Sequence, residues 1–171
     1  GADCGTFDYF TEAIVGKAKA IRTDYQPTED DNVTIKGVAG DTYAMGFLGY
    51  AYYEENKDKV KAVAIDHGKG CVLPSRETVL DGTYQPLSRP LFIYVNVKSL
   101  DRPEVQAFVD FYLSPAARRA IRSTGYVELP SEAYRIGQEL VKRRKAGTFF
   151  MELPAGTPLS KFIQELDKEL R

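Results

Sequence analysis

Apolar positions change period several times along the 171-residue chain, and each change predicts an element. Phe7, Phe10, Ala13 and Ile14 recur at helical spacing behind a small-residue turn, Asp3-Cys4-Gly5-Thr6. They predict a helix from about Gly5 to Gly16 or Ala20. Residues 28–40 read two ways. Thr28-Glu29-Asp30-Asp31 is a capped, acidic helix start, whereas Val33, Thr34 and Ile35 are β-branched and favour a strand. Tyr43–Leu48 predicts a short buried strand, and Tyr50–Asn56 a short helix. Lys59–Ile65 predicts a second strand with apolar residues on both faces, as in a sheet sandwiched by helices. Ser75-Arg76-Glu77-Thr78 opens a short helix that Gly82 stops.

Pro86 to Pro90 punctuates the chain, and Leu91–Val95 follows as a strand. Pro103 lies near the start of an amphipathic helix carrying Val105, Phe108, Val109, Tyr112 and Leu113 on one face. Ser114-Pro115 caps the next helix, which ends near Gly125. Ser131 caps a third, running to about Lys145 and stopped by Gly147. Leu159, Phe162, Ile163 and Leu166 share a face of a final helix. The alternation predicts an α/β class, with a lobe that lacks its first strands.

Composition narrows the partners. Hydrophobic residues make up 43% and charged residues 27%, the balance of an ordinary globular protein. A formal net charge of -1 gives no long-range field for nucleic acid or an anionic membrane, so an anion site must be a local device. The cations Lys142, Arg143, Arg144 and Lys145 complement the dipole at a helix end better than they suggest a nucleic-acid patch. No apolar run reaches the roughly 20 residues of a membrane helix, and no signal-peptide pattern opens the chain.

The candidate chemistry lies at the first turn. The leading N–H groups of a helix have no partner within it, and the aligned peptide dipoles place partial positive charge there. Gly5 permits close approach to the backbone and Thr6 adds a hydroxyl, so the turn can hold a phosphate-like oxyanion. The plainer alternative is an ordinary helix capped by Asp3. Catalytic readings fare worse. His67 is the single histidine and has no Ser or Cys partner arranged around it. Cys4 at a helix N-terminus would have a lowered pKa, as in a cysteine phosphatase, but no arginine closes the loop, which runs instead into Phe7 and Phe10. Two cysteines and one histidine offer no zinc spacing, and no Walker loop is present. No catalytic residue, metal or cofactor is expected.

The run Cys4-Gly5-Thr6-Phe7-Asp8-Tyr9-Phe10-Thr11-Glu12 resembles the Ser-Gly-Thr-Phe-Asp-Tyr-Phe type of motif in bacterial periplasmic phosphate-binding proteins, the substrate receptors of ABC-type phosphate importers. Similarity continues through Glu29-Asp30-Asp31-Asn32, Gly46-Phe47-Leu48-Gly49-Tyr50-Ala51-Tyr52-Tyr53 and Pro86-Leu87-Ser88-Arg89-Pro90-Leu91-Phe92-Ile93-Tyr94-Val95. The resemblance implies a type II periplasmic-binding-protein-like fold of three-layer α/β/α lobes, here as an incomplete C-terminal portion. Residues 1–88 would belong to the second lobe and carry the anion-binding helix end. Residues 89–171 would form the hinge strand and helices returning to the first lobe. The resemblance also chooses a helix over 28–40.

By the same likeness Gly5 and Thr6 are phosphate ligands. Cys4 stands where the family usually has serine, and a thiol is a poor donor. It gives only its backbone N–H, or the contact is lost. Asp3 either caps the helix or accepts the proton of a hydrogen phosphate. Arg22 is the first candidate counter-charge, with Arg76 and Arg89 behind it. The implied partners are inorganic phosphate, the membrane subunits of an ABC importer, and a companion chain or missing N-terminal half, in the periplasm or another extracytoplasmic space. There an even cysteine count in Gly-containing loops suggests a Cys4–Cys71 disulfide, two free thiols being the alternative. Cys4 also favours a rival: an interaction or sensor module of the same fold that has lost tight phosphate binding.

Overall fold

The computed structural model describes residues 5–147 and 153–171. The chain divides into two compact units, Gly1–Ser88 and Arg89–Arg171. In unit 1, α1 spans Gly5–Val15 and buries Phe7 and Thr11. Phe7 stacks against Tyr25 with ring centroids 6.1 Å apart, and Phe10 lies 4.1 Å from Phe47 in a nearly parallel stack. Thr11 closes the helix on itself. Its Oγ1 donates to Phe7 O at 2.8 Å and accepts from Lys19 N at 2.7 Å, holding the returning loop against α1.

The β-branched segment is a helix, α2, Asp31–Gly40, with Ile35 buried. Asp30 is its N-cap and accepts from Asn32 N at 2.8 Å. A local cap therefore outweighs the modest strand preference of Val33 and Thr34. The expected strand at Tyr43–Leu48 lies across this helix. A Cβ on Gly46 would stand 2.7 Å from the Thr34 methyl and 3.0 Å from a Val38 methyl, so only glycine permits that approach. After it come α3, Tyr50–Glu55, the antiparallel pair β1, Ile65–Asp66, and β2, Cys71–Val72, and then α4, Arg76–Leu80. The last has a full capping box, Ser75 and Thr78 each bonding the other's backbone.

Unit 2 is helical. A short 3-10 turn, Val97–Asp101, leads into α5, Pro103–Tyr112, α6, Pro115–Ser123, α7, Ser131–Lys142, and α8, Leu159–Lys168. Its centre is α7, which buries Ala133, Tyr134, Ile136 and Leu140 and packs against α8. Ser114 caps α6 as expected, accepting from Ala117 N. At α7 the cap position falls to Pro130, and the Ser131 hydroxyl instead accepts from Arg118 Nη1 at 2.8 Å. The helix also stops sooner than expected, because Arg144 turns into the left-handed region with φ 52 and Lys145 N returns to Leu140 O at 3.0 Å.

Three expected strands need correction. Among the described residues no β-ladder forms along 43–48 or 91–95, and of Lys59–Ile65 only Ile65 enters a ladder. Lys59 and Val60 are drawn into a turn, their N–H groups both donating to Asn56 O. A strand forms only where a second strand pairs with it, and among the described residues these runs have no ladder partner apart from Ile65 with Val72. Their apolar side chains stay exposed as a result, Tyr43 at 95%, Met45 at 81%, Val63 at 64% and Tyr94 at 78%.

Candidate functional site

The opening helix presents its first turn to solvent, with Gly5 exposed and Thr6 half-buried. Asp3 and Cys4 lie outside the described residues, and so does any bond of theirs. What fixes the helix is its buried side. Phe7 and Thr11 face inward one turn apart, so the backbone N–H groups of Gly5 and Thr6 are carried on a rod already docked by its aromatic face. Asp8 is the acidic residue of that turn, and its buried Oδ1 has no hydrogen-bond partner among the described residues.

Arg22 lies in the loop that Lys19 and Tyr25 pin onto α1. It is not a bare cation. Its Nε donates to Asp24 Oδ1 at 2.8 Å and its Nη2 bonds the second carboxylate oxygen, a two-point fork. The hydrogen bond to Asp24 raises the guanidinium's already high pKa. In return Arg22, with a smaller backbone contribution, holds the Asp24 carboxyl below its ordinary range. Both groups are solvent-exposed, so the pair is screened by water.

The other expectations separate. Arg76 opens α4, while Arg89 begins unit 2 and is exposed. Cys71 carries an exposed free thiol on β2, opposite Asp66, and its expected disulfide partner Cys4 is outside the described residues. His67 is an exposed hairpin residue. Among the described residues no three or more His, Cys, Asp or Glu side chains gather as a metal site, and no helix is long and apolar enough to cross a membrane.

Tyr50 is half-buried at the start of α3. Its hydroxyl donates to Glu54 at 3.0 Å, and Glu54 in turn takes Lys57 Nζ at 2.6 Å. Burial first, and then the hydrogen bond to Glu54, push the Tyr50 phenol up to about 12. Sequence reasoning missed two contacts. Asp24 stands two residues from Arg22, a spacing that was visible. Tyr9, whose hydroxyl reaches Pro86 O at 2.8 Å and Ser88 O at 3.1 Å, left no such signal.

With the helix end and its surroundings in place, similarity to known proteins becomes informative. The model of the PBP superfamily domain matches residues 1–116, which include all of α1 and everything packed on it. The chain belongs to the PBP superfamily. Within this superfamily it is 50% identical over 167 residues to the protein SphX of Synechocystis, covering 94% of this chain and 49% of that one. It is 38% identical over 133 residues to the phosphate-binding protein PstS of Staphylococcus haemolyticus, covering 77% and 40%.

A solved structure described as a possible phosphate binding protein from Planctomyces limnophilus superposes with a TM-score of 0.68. The two are 42% identical over 85% of this chain and 52% of that one. The type II periplasmic-binding-protein-like fold rests on these matches. The chain spans about half the length of the curated relatives it matches, 49% and 44% for the two SphX proteins.

Proposed function

We propose that this chain forms one side of an extracytoplasmic phosphate receptor and contributes the N–H groups of Gly5 and Thr6, with the Thr6 hydroxyl, as donors to the anion. The observation that carries the reading is the coincidence of two features at one place. The superfamily match covers the first turn of α1, where Gly5 is exposed, in a chain similar to relatives named for phosphate binding. Cys4 adds a backbone N–H, Asp3 orders the turn, and Arg22 turns from Asp24 to the anion when phosphate arrives. The role is binding without catalysis. Its partners are inorganic phosphate and the membrane subunits of an ABC importer, and residues 1–88 and 89–171 act as the second lobe and the return to the first.

A companion stretch of polypeptide completes the receptor. The runs at 43–48, 60–64 and 91–96 support this, because they form no ladder among the described residues, leave large apolar side chains in water and invite neighbouring strands. Ligand contacts made only when two lobes meet the anion would then drive closure. A second reading, a module of this fold without tight phosphate binding, is favoured by Asp24 occupying the Arg22 fork.

Calorimetry separates the two. The 171-residue chain alone should bind phosphate only at millimolar concentration, and the complementary half of a relative should tighten binding. Thr6→Val should then weaken the completed receptor roughly tenfold or more, the loss of a hydrogen bond to a charged group. Micromolar binding by the lone monomer overturns the need for a companion. No binding by the completed receptor favours the second reading.

A further inference from the structure

Tyr9 lies one turn beyond Gly5 and Thr6 on α1, and its hydroxyl leaves the helix to meet the segment that closes unit 1. It donates to Pro86 O at 2.8 Å and Ser88 O at 3.1 Å, partners 77 and 79 residues away. One hydroxyl proton shared by two carbonyls is a bifurcated bond in which the shorter contact dominates. The acceptors are themselves held. Gln85 and Pro86 are buried, Ser88 Oγ donates to Tyr84 O at 2.6 Å, and Gln85 Nε2 donates to Ser88 Oγ at 3.3 Å. Tyr84 N donates to Thr78 O at 2.8 Å, which ties the whole turn to α4.

An α-helix moves as a rod, because each of its turns is braced by its own hydrogen bonds. A small axial or rolling shift at Gly5 and Thr6 is therefore delivered to Tyr9 almost undiminished. The Phe7 and Phe10 stacks are slippery contacts by comparison, tolerating sliding that a hydroxyl aimed at two carbonyls does not.

We propose that Tyr9 is a positioning residue that sets α1 against the 84–88 turn and passes anion occupancy at Gly5 and Thr6 to Ser88, the last residue of unit 1. This rests on the phosphate reading above. Without the hydroxyl the helix end still faces the anion, but its setting is looser and the exit segment no longer feels it.

The test is a titration of the full chain with inorganic phosphate into the millimolar range, at constant ionic strength, followed by amide NMR. In the native chain the amides of Gly5, Thr6, Leu87 and Ser88 should shift along one binding curve. In Tyr9→Phe, which keeps the ring, Gly5 and Thr6 should still shift, with affinity weakened about fivefold, one ordinary net hydrogen bond. The response at Leu87 and Ser88 should fall at least threefold. Ser88→Ala should weaken that response from the acceptor side, because it frees the turn without touching α1.

A structural role alone would alter the resting spectrum and leave the phosphate response intact. An undiminished response at Leu87 and Ser88 in Tyr9→Phe overturns the proposal, as does a silent Leu87 and Ser88 in the native chain while Gly5 and Thr6 shift. Silence at Gly5 and Thr6 themselves overturns the phosphate reading, and this inference with it.

Discussion

Unit 1 and unit 2 are nearly equal in length, yet they are built by different means. The apolar residues that unit 2 buries, Leu100, Val109, Ala117 and four of α7, are all carried on helical turns, with polar Thr157 buried off them. Unit 1 buries Phe7, Ile35 and Ala51, one on each of three separate helices. Beside them it buries polar Thr11 and Gln85. A helix satisfies its backbone internally and needs a neighbour only for its apolar face, whereas a strand needs neighbours for both. Where the sequence calls for helices the element forms and packs. Where it calls for strands, only Ile65 enters a ladder among the described residues, and side chains such as Tyr43, Met45, Val63 and Tyr94 stay in water. Even unit 2 obeys the rule, since Leu91–Val95 is its one expected strand and forms no ladder among the described residues.

The sharpest way to break this comparison is at α7. Ile136 is fully enclosed, 0% exposed, and Ile136→Ala should cost about 2–5 kcal/mol through lost burial and the cavity left behind. Thermal melting reads the total loss, and amide exchange reads where it falls. If the units stand independently, protection collapses in α5 to α8 and persists in α1. A uniform loss across both units would show one cooperative core.

The counterpart in unit 1 is Thr11→Val. It keeps the shape but removes the acceptor of Lys19 N and the donor to Phe7 O at a position only 1% exposed. Losing these hydrogen bonds, with the Lys19 N–H left to water, makes the cost about 0.5–1.5 kcal/mol. Exchange at Lys19 should accelerate first, because its φ of 65 is held by that bond. If exchange at Lys19 is unchanged, the loop carrying Arg22 is held by the Tyr25 stack instead.

How much of this was legible follows the same division. Caps and 3.6-residue spacing located α1 and α4 to α8, because a helix is encoded in contiguous residues; at α2 they left a strand open, and the family resemblance chose the helix. The first turn of α1 was legible for that reason: Gly5, Thr6 and the apolar Phe7 and Phe10 are adjacent. The Arg22–Asp24 fork was readable in principle, two residues apart, but a search for a counter-charge looks at cations and passes over the carboxylate already serving one. Tyr9 and Ser88 were not readable, since nothing near either residue encodes a contact across 79 positions. Strand partners are non-local in the same way. The apolar runs predicted strands, but such a run says nothing about what would lie beside it.

The smallest effect sharpens the comparison by pH. Tyr50, pushed up to about 12, and Tyr84, which burial also pushes up, both belong to unit 1. A phenol that holds its proton more tightly when folded adds stability that is complete below the unfolded value near 10. That stability is lost as the pH climbs through the folded value. Alkali should therefore loosen unit 1 between pH about 10 and 12, with exchange rising in α3 and α4 while α7 holds. Glu54 reinforces the sign. Its carboxyl is kept low first by Lys57 and then by Tyr50, so it stays ionised and repels a phenolate formed beside it. Tyr50→Phe should remove one late-ionising phenol from the ultraviolet titration of the 11 tyrosines and flatten the alkaline loss in α3. If α7 opens in the same window, or if Tyr50→Phe leaves the titration unchanged, then the ring is open to water and unit 1 is no more sensitive than its neighbour.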